Sequence, residues 1–312
     1  MKRRILNRLI QLIPIIVGLT FITFFMMRLS MTDAVDMMYG ETGGASAEVM
    51  ETKRLALGLN ESFWTQYFNW IKNAIFLDFG NSYISGYAVF DTFLDKLPKT
   101  VLLTAVSLAL TLMVSVPLGL IAAVKQNGKL DLIIRFFSFI GNSLPNFFVG
   151  LLLIYFLSLK LNLFPIVGLS DSLTGVILPA ATLSVAMTAK YIRQIRALTL
   201  SELNKPYIIG ARARGISEFN ILFKSVLKSI SLTLITLVAL SVGSLLGGAA
   251  IVETVFMWDG VGKLAVDAIN MRDYPMLQAY VLMLSVIYVV INLVADILYG
   301  VLDPRVKIGG NL

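Results

Sequence analysis

The chain has 312 residues, of which 57% are hydrophobic and only 14% charged, with a formal net charge of +7. That is the composition of a membrane protein rather than of a soluble domain. It contains no cysteine and no histidine, which excludes disulfides, thiolate metal sites and imidazole-based metal or proton chemistry.

The first charge-free run, 9–27, follows the basic start "MKRR". It is long for the apolar region of a signal peptide, and "MMRLSMTD" after it offers no A-x-A-like cleavage site, so it reads as a retained helix. Five further charge-free runs follow at 100–124, 136–159, 172–189, 229–252 and 274–295. A spanning helix needs about 20 apolar residues, which each run supplies, the fourth by extending into its polar flank. The sequence therefore predicts an all-α integral membrane protein with six transmembrane helices.

Between the first two runs lies a polar region, 29–98, too long for a simple connector. Within it Trp64, Tyr67, Phe68 and Ile71 recur at helical spacing and present one apolar face. "TGGASAEVMETKRLALG" supplies a Gly/Ser break and then a helix starting near Ser46. A small, mostly helical external subdomain is expected here, either a docking surface for an external partner or a cap. The predicted organisation is a cytoplasmic N-terminal end and first helix at 1–28, the external subdomain at 29–98, a five-helix core at 99–302 with a cytoplasmic loop at 200–228, and a cytoplasmic tail at 303–312.

Charge sets the orientation. With the N-terminus inside, 17 of the 26 basic residues and 5 of the 19 acids lie on the cytoplasmic side. The 190–228 region alone holds Lys190, Arg193, Arg196, Lys205, Arg212, Arg214, Lys224 and Lys228, as the positive-inside rule requires. Topology thus accounts for the basic excess without a nucleic-acid partner.

Polar side chains inside the runs are candidates for lining a pathway: Asn142, Ser143 and Asn146 in the third, Thr182, Ser184 and Thr188 in the fourth, Ser241 and Ser244 in the fifth. Hydroxyls in helices also bond to preceding carbonyls instead. Gly243, Gly247 and Gly248 are expected to allow tight helix packing. Asp296, an acid near the end of the sixth run, is expected to anchor hydrogen bonds rather than relay protons.

The segment "YIIGARARGISEFNILFKSVLKS", 207–229, has a different character. Ala211 and Ala213 permit close approach of another backbone, and Gly215 permits a sharp reversal that a β-carbon resists. "SEFNILFKSVL" then reads as a second amphipathic helix, giving a helix–turn–helix knob. The chain has no phosphate-cradling G-x-x-x-x-G-K-[ST] motif, so it is not expected to be an ATPase.

At these residues the chain resembles the permeases of ABC importers, in the branch that handles dipeptides, oligopeptides and nickel. "ARARGIS" followed by "LFKSVLKS" is similar to that family's cytoplasmic coupling loop, in the branch version T-A-R-A-K-G. "LDFGNSY" at 77–83, "SVPLGLIAA" at 115–123, "SLPNFFVGLLL" at 143–153, "GGAAIVETVF" at 247–256 and "NLVADILYGVLDPRV" at 292–306 extend the resemblance over the whole chain. It implies the type I ABC importer permease fold, a homologous second permease subunit, two cytoplasmic ATPase subunits that bind ATP and Mg, an external solute-binding protein, and a bed of membrane lipid. It also implies an ATPase-coupling role for Ala211, Arg212, Ala213, Arg214, Gly215 and Ser217, with no catalytic residue, metal ligand or cofactor in this chain. Ile209 and Gly210 replace the Glu and first Ala of the general family pattern, while Thr233 and Asp259 stand where relatives often carry Pro. A secondary transporter would instead show inverted repeats and mid-membrane ionisable groups, and a scaffold would not need the knob.

The resemblance leans toward nickel or a metal chelate in "RFFSFIGNSLPNFF", with dipeptides or oligopeptides as the alternative. Without His, Cys or acids in the first five runs, a bare divalent ion would lack strong ligands. A chelate or a peptide brings its own. For topology, single cysteines introduced as Ala45→Cys and Glu218→Cys should label in intact cells from outside at 45 and only from inside at 218; labelling of 218 from outside would overturn the orientation.

Overall fold

In lipid a chain must satisfy its own backbone polar groups, so long apolar segments become helices. The computed structural model describes residues 2–29, 33–39, 45–167 and 173–302. Among them there is no strand, only helices in this order: α1 Lys2–Arg28, α2 Ala34–Tyr39, α3 Ala47–Ala56, α4 Phe63–Ile75, α5 Val89–Val124, α6 Lys129–Ser143, α7 Asn146–Leu153, α8 Leu173–Leu203, α9 Pro206–Ala213, α10 Glu218–Asn220, α11 Leu227–Gly248, α12 Ala250–Val255, α13 Val261–Asn270 and α14 Tyr274–Leu302. Wider π-helical turns, Ile154–Lys160 and Ile221–Val226, extend α7 and join α10 to α11. The tail 303–312 and the surroundings of Gly248 and Asp296 lie outside the described residues.

Among the described residues, four single stretches are long and apolar enough to cross a membrane: Val89–Val124, Thr174–Leu203, Glu218–Gly247 and Tyr274–Ala295. The run 136–159 is not the single straight span that its lack of charge predicts. Lys129–Ser143 and Asn146–Lys160 meet at a bend of 104°. The cause is Pro145, which disfavours helical backbone in the residue before it; Leu144 is accordingly extended, with ψ 132°. The fourth run continues to Leu203, so Lys190, Arg193 and Arg196 sit on helix rather than in a loop. Thr233, lacking the ring of a proline, lies in unbroken α-helix within α11.

The chain forms two compact units: residues 1–100 with 259–290, and residues 101–258 with 291–312. In the first, α4 lies along α1. The Tyr67 ring is buried against Phe21, Phe24 and Phe63, and its hydroxyl meets the Thr20 hydroxyl at 3.2 Å. Ser46 caps α3 through a bond from the Val49 amide, as expected from the sequence. Of the predicted apolar face of α4, Trp64 and Phe68 remain exposed and stack on each other. Distant segments are joined at Asp273, whose carboxylate accepts from the Ser82 hydroxyl and the Tyr83 amide. Thr100 likewise accepts from the Val261 amide at 2.9 Å. Asp259 stands between the ammonium groups of Lys96 and Lys99. Burial raises its carboxyl, but those two donors outweigh burial and hold it below its ordinary value.

The second unit is organised on α8. Helices in lipid associate through close packing rather than through a hydrophobic force, and small residues at the crossings make it possible. A β-carbon on Gly119 of α5 would fall 2.7 Å from Ile195 of α8, and one on Gly141 of α6 would fall 3.4 Å from Ala189. One on Gly150 of α7 would meet Phe256 at 3.1 Å and Thr182 at 3.4 Å. The glycines expected to pack tightly were others, and Gly247 faces open space. One residue past the Gly119 contact on Ile195, Arg196 of α8 donates two bonds, 2.7 and 2.8 Å, to the Asp131 carboxylate, whose side chain is 0% exposed. Breaking a buried pair strands a charge, which costs about 3–5 kcal/mol. Asp131→Asn should therefore lower unfolding free energy by roughly 3 kcal/mol in reversible detergent denaturation, and the paired variant Asp131→Leu with Arg196→Met should recover most of the loss.

Candidate functional site

The knob begins where α8 ends. Pro206 occupies the first turn of α9, where its missing N–H is not needed. Ile208 and Ala211 point inward and are buried with Leu203, Tyr191, Ile195, Ile221 and Val226. The helix stops in a Schellman motif: the Gly215 amide bonds the Arg212 carbonyl at 2.9 Å and the Ile216 amide bonds the Ala211 carbonyl at 3.2 Å. This motif needs a left-handed residue at its turn. Gly215 supplies it, with φ 77°, as the sequence predicts. Ser217 then caps α10, its hydroxyl accepting from the Asn220 amide. Arg212 spans the turn with bonds of 2.6 and 3.2 Å to the Glu218 carboxylate.

A second brace ties the knob to α8. The Tyr207 hydroxyl donates to Glu202, which also pairs with Lys205 at 2.6 Å. Burial, together with that carboxylate, pushes the Tyr207 phenol up to about 12, so it remains a donor at any physiological pH.

The outward side of the knob carries several exposed apolar side chains. Tyr207, Ile209, Ile216, Phe219 and Phe223 are all exposed, Phe219 at 68%, and the Phe219 and Phe223 rings lie 4.5 Å apart. Ala213 and Arg214 are exposed with them, and a β-carbon on Gly210 would touch nothing. Of the two alanines singled out by sequence, Ala211 therefore serves the chain's own packing and Ala213 the outer surface. The apolar residues of this face carry no motif and were missed; they become visible only once α9 and α10 fix which side is covered.

The predicted pathway residues lie on α6, α7, α8 and α11. Asn142 accepts a bond from Arg193 at 3.1 Å, Ser143 bonds back to the Phe139 carbonyl at 2.9 Å, and Asn146 sits at the start of α7, just past the bend. Ser241 is buried and accepts from the Tyr191 hydroxyl at 2.9 Å. Ser244 bonds back to the Ser241 carbonyl at 3.0 Å. Thr182 and Ser184 bond back to Leu178 and Ala181, and Thr188 is half-buried. A buried acid passed over in the sequence, Glu253, lies in α12 one residue beyond the fifth run.

The family model described as "Binding-protein-dependent transport system inner membrane component" matches residues 115–308, and its companion "Binding-prot-dependent transport system membrane comp, N-term" matches residues 1–104. The chain belongs to this family of ABC importer permeases. The permease is 38% identical over 318 residues to the oligopeptide transport system permease protein AppB of Bacillus subtilis, covering 98% of this chain and 100% of that one. It is 35% identical to the glutathione transport system permease protein GsiC of Escherichia coli K12 over 98% and 99% of the two chains. The MetNI methionine ABC transporter, in an inward-facing conformation, shares the fold with a TM-score of 0.59 at 17% identity, covering 68% of this permease and 96% of that chain. The permease is thus a multi-pass inner-membrane protein and a subunit of an ABC importer that works with other subunits. The names of these relatives do not support the expectation of nickel and favour the peptide alternative.

The knob's turn can be tested by itself. Gly215→Val, a β-branched residue forced to φ near 77°, should leave membrane insertion unchanged while strain of roughly 1–2 kcal/mol speeds amide exchange in residues 206–220. Unchanged exchange there would show that the turn does not depend on glycine.

Proposed function

We propose that this permease forms half of the translocation pathway of an ATP-driven importer of short peptides, with the Pro206–Val226 knob as the element through which partner ATPases drive it. The observation that carries the substrate class is similarity over 98% of the chain to an oligopeptide permease. Glutathione, the cargo named for the second relative, is itself a peptide. The same chemistry argues against a bare metal ion, which needs strong ligands that a chain without His or Cys does not offer.

The energy argument rests on the knob. An inward face held by Ile208 and Ala211 makes it rigid, and an outward face of Ile209, Ala213, Ile216, Phe219 and Phe223 offers an apolar surface for a groove in another protein. Because α9 continues from α8 through the Glu202 brace, movement of a docked ATPase is passed to α8 and to the helices packed on it. This is how ATP-dependent closure would bias the membrane helices between their two access states. In this arrangement both termini and the knob are cytoplasmic, residues 29–98 face the solute-binding protein, a homologous second permease completes the pathway, and ATP with Mg is held by the two ATPases. Arg212, Arg214, Gly215 and Ser217 shape the docking element; Asn142, Ser143, Asn146, Ser241 and Ser244 are the polar groups nearest to a role along the path.

The experiment is uptake by the reconstituted complex. Tripeptides should stimulate ATP hydrolysis and accumulate, nickel and nickel chelates should not, and Ile209→Asp combined with Phe219→Asp should lower peptide-stimulated hydrolysis at least tenfold without loss of insertion. Stimulation by nickel chelate alone would reverse the substrate assignment, and full coupling in the double variant would reject the docking role.

A further inference from the structure

Helix α4 divides around its axis into three strips. Phe63, Tyr67, Trp70 and Ala74 turn toward the rest of the unit formed by residues 1–100 and 259–290, with Tyr67 and Ala74 buried. Gln66, Asn69 and Asn73 line a cavity of about 290 Å³ within that unit. The third strip is Trp64, Phe68, Ile71 and Ile75, which share one helical face. Trp64, Phe68 and Ile75 are 56, 61 and 73% exposed, and the strip runs on into exposed Phe76 and Leu77. So continuous an apolar face calls for a cover.

Contacts with α1 set where the strip lies. Arg28 is the first charge after the apolar run 9–27 and marks its polar end; its guanidinium donates to the Leu59 and Glu61 carbonyls just ahead of α4. From there α4 reaches back along the run. The Trp64 ring stacks on Phe21 at 6.0 Å, and Phe68 stacks in turn on Trp64 at 5.9 Å. The Tyr67 hydroxyl goes further, meeting the Thr20 hydroxyl at 3.2 Å and the Val17 carbonyl at 3.3 Å. Phe21 stands seven residues before Arg28, about 10 Å away along a helix that rises about 1.5 Å per residue. An amphipathic helix at a membrane surface buries its apolar face about 5–10 Å deep. The strip therefore lies at the depth of lipid, level with the exposed Val17, Ile22 and Phe25 of α1, where a water-soluble protein does not reach.

We propose that α4 is an interfacial helix, seated with Trp64, Phe68, Ile71 and Ile75 in the headgroup–acyl boundary of the leaflet on the Arg28 side of α1. Phospholipid is the partner. Tryptophan suits that boundary, having a large apolar ring with one polar N–H. Lys72, exposed beside the strip, carries its ammonium out to the headgroup phosphates on a flexible apolar stem. The assignment takes this face of α4 out of the surface open to a soluble partner, and it stands independently of what the permease imports.

The chain has no cysteine, so a probe can be placed at a single position. The test uses the complete complex, its partner subunits made cysteine-free, with Phe68→Cys labelled by bimane and reconstituted in vesicles of phosphatidylethanolamine and phosphatidylglycerol. Ile75→Cys stands in if the first variant does not assemble. Two quenchers are compared, a lipid bearing a nitroxide high on its acyl chain and aqueous iodide. The lipid should quench more strongly than iodide, by about threefold for a probe below the headgroups, and adding the solute-binding protein should change neither. Iodide quenching equal to or stronger than lipid quenching would show a face open to water and overturn the proposal. Protection of the probe by the solute-binding protein would make the strip its docking face, and quenching by neither agent would show that another protein surface covers it; either result rejects the lipid assignment.

Discussion

A carboxylate whose side chain is cut off from solvent is tolerated only if its charge is met, and Asp131 is met by the paired bonds of Arg196, by Arg135 at 3.3 Å and by the Asn127 amide. This pair fixes where α6 starts relative to α8. At the crossing of the same two helices, Gly141 fits against Ala189, while Gly119 of α5 fits against Ile195, the residue before Arg196. Packing without a hydrophobic driving force leaves little tolerance for sliding, so one polar pair sets the register for a largely apolar assembly.

The same helix leads into the knob, where residues separate by task. Ile208 and Ala211 belong to the interior, Gly215 and the Arg212–Glu218 pair to the turn, and Ile209, Ala213, Phe219 and Phe223 to the surface. Such a division suits a part that is pushed from outside. A contact surface that deformed would absorb the displacement, whereas one backed by buried side chains and a Schellman cap passes it on.

Much of this was legible in the sequence because it rests on local rules. Charge-free runs gave the helices, Ser46 and Gly215 announced a cap and a reversal, and the motif around Gly215 pointed to the family. What was hidden depends on contacts between residues far apart. Asp131 and Arg196 stand 65 residues apart, so nothing local in the sequence shows that they pair. The bend at Leu144 was missed because apolarity reports burial in lipid and says nothing of direction, although Pro145 carried the signal. The grouping of residues 259–290 with 1–100 depends on bonds such as Ser82 to Asp273, 191 residues apart. Substrate was the hardest to read, since a neutral passage suits a chelate and a peptide alike.

The π-helical turn at Ile221–Val226 gives the knob an adjustable bearing. A π turn holds one residue more than an α turn, so α10 and α11 on either side of it are out of phase by about one residue's rotation, roughly 100°. Phe219, just before the turn, and Phe223, within it, lie four residues apart, a spacing that places both side chains on one side of the helix. A chain with one residue fewer in this stretch would aim the same aromatic side chains a quarter-turn away. Gain or loss of a single residue here would turn the exposed aromatic pair relative to α11 while keeping both side chains.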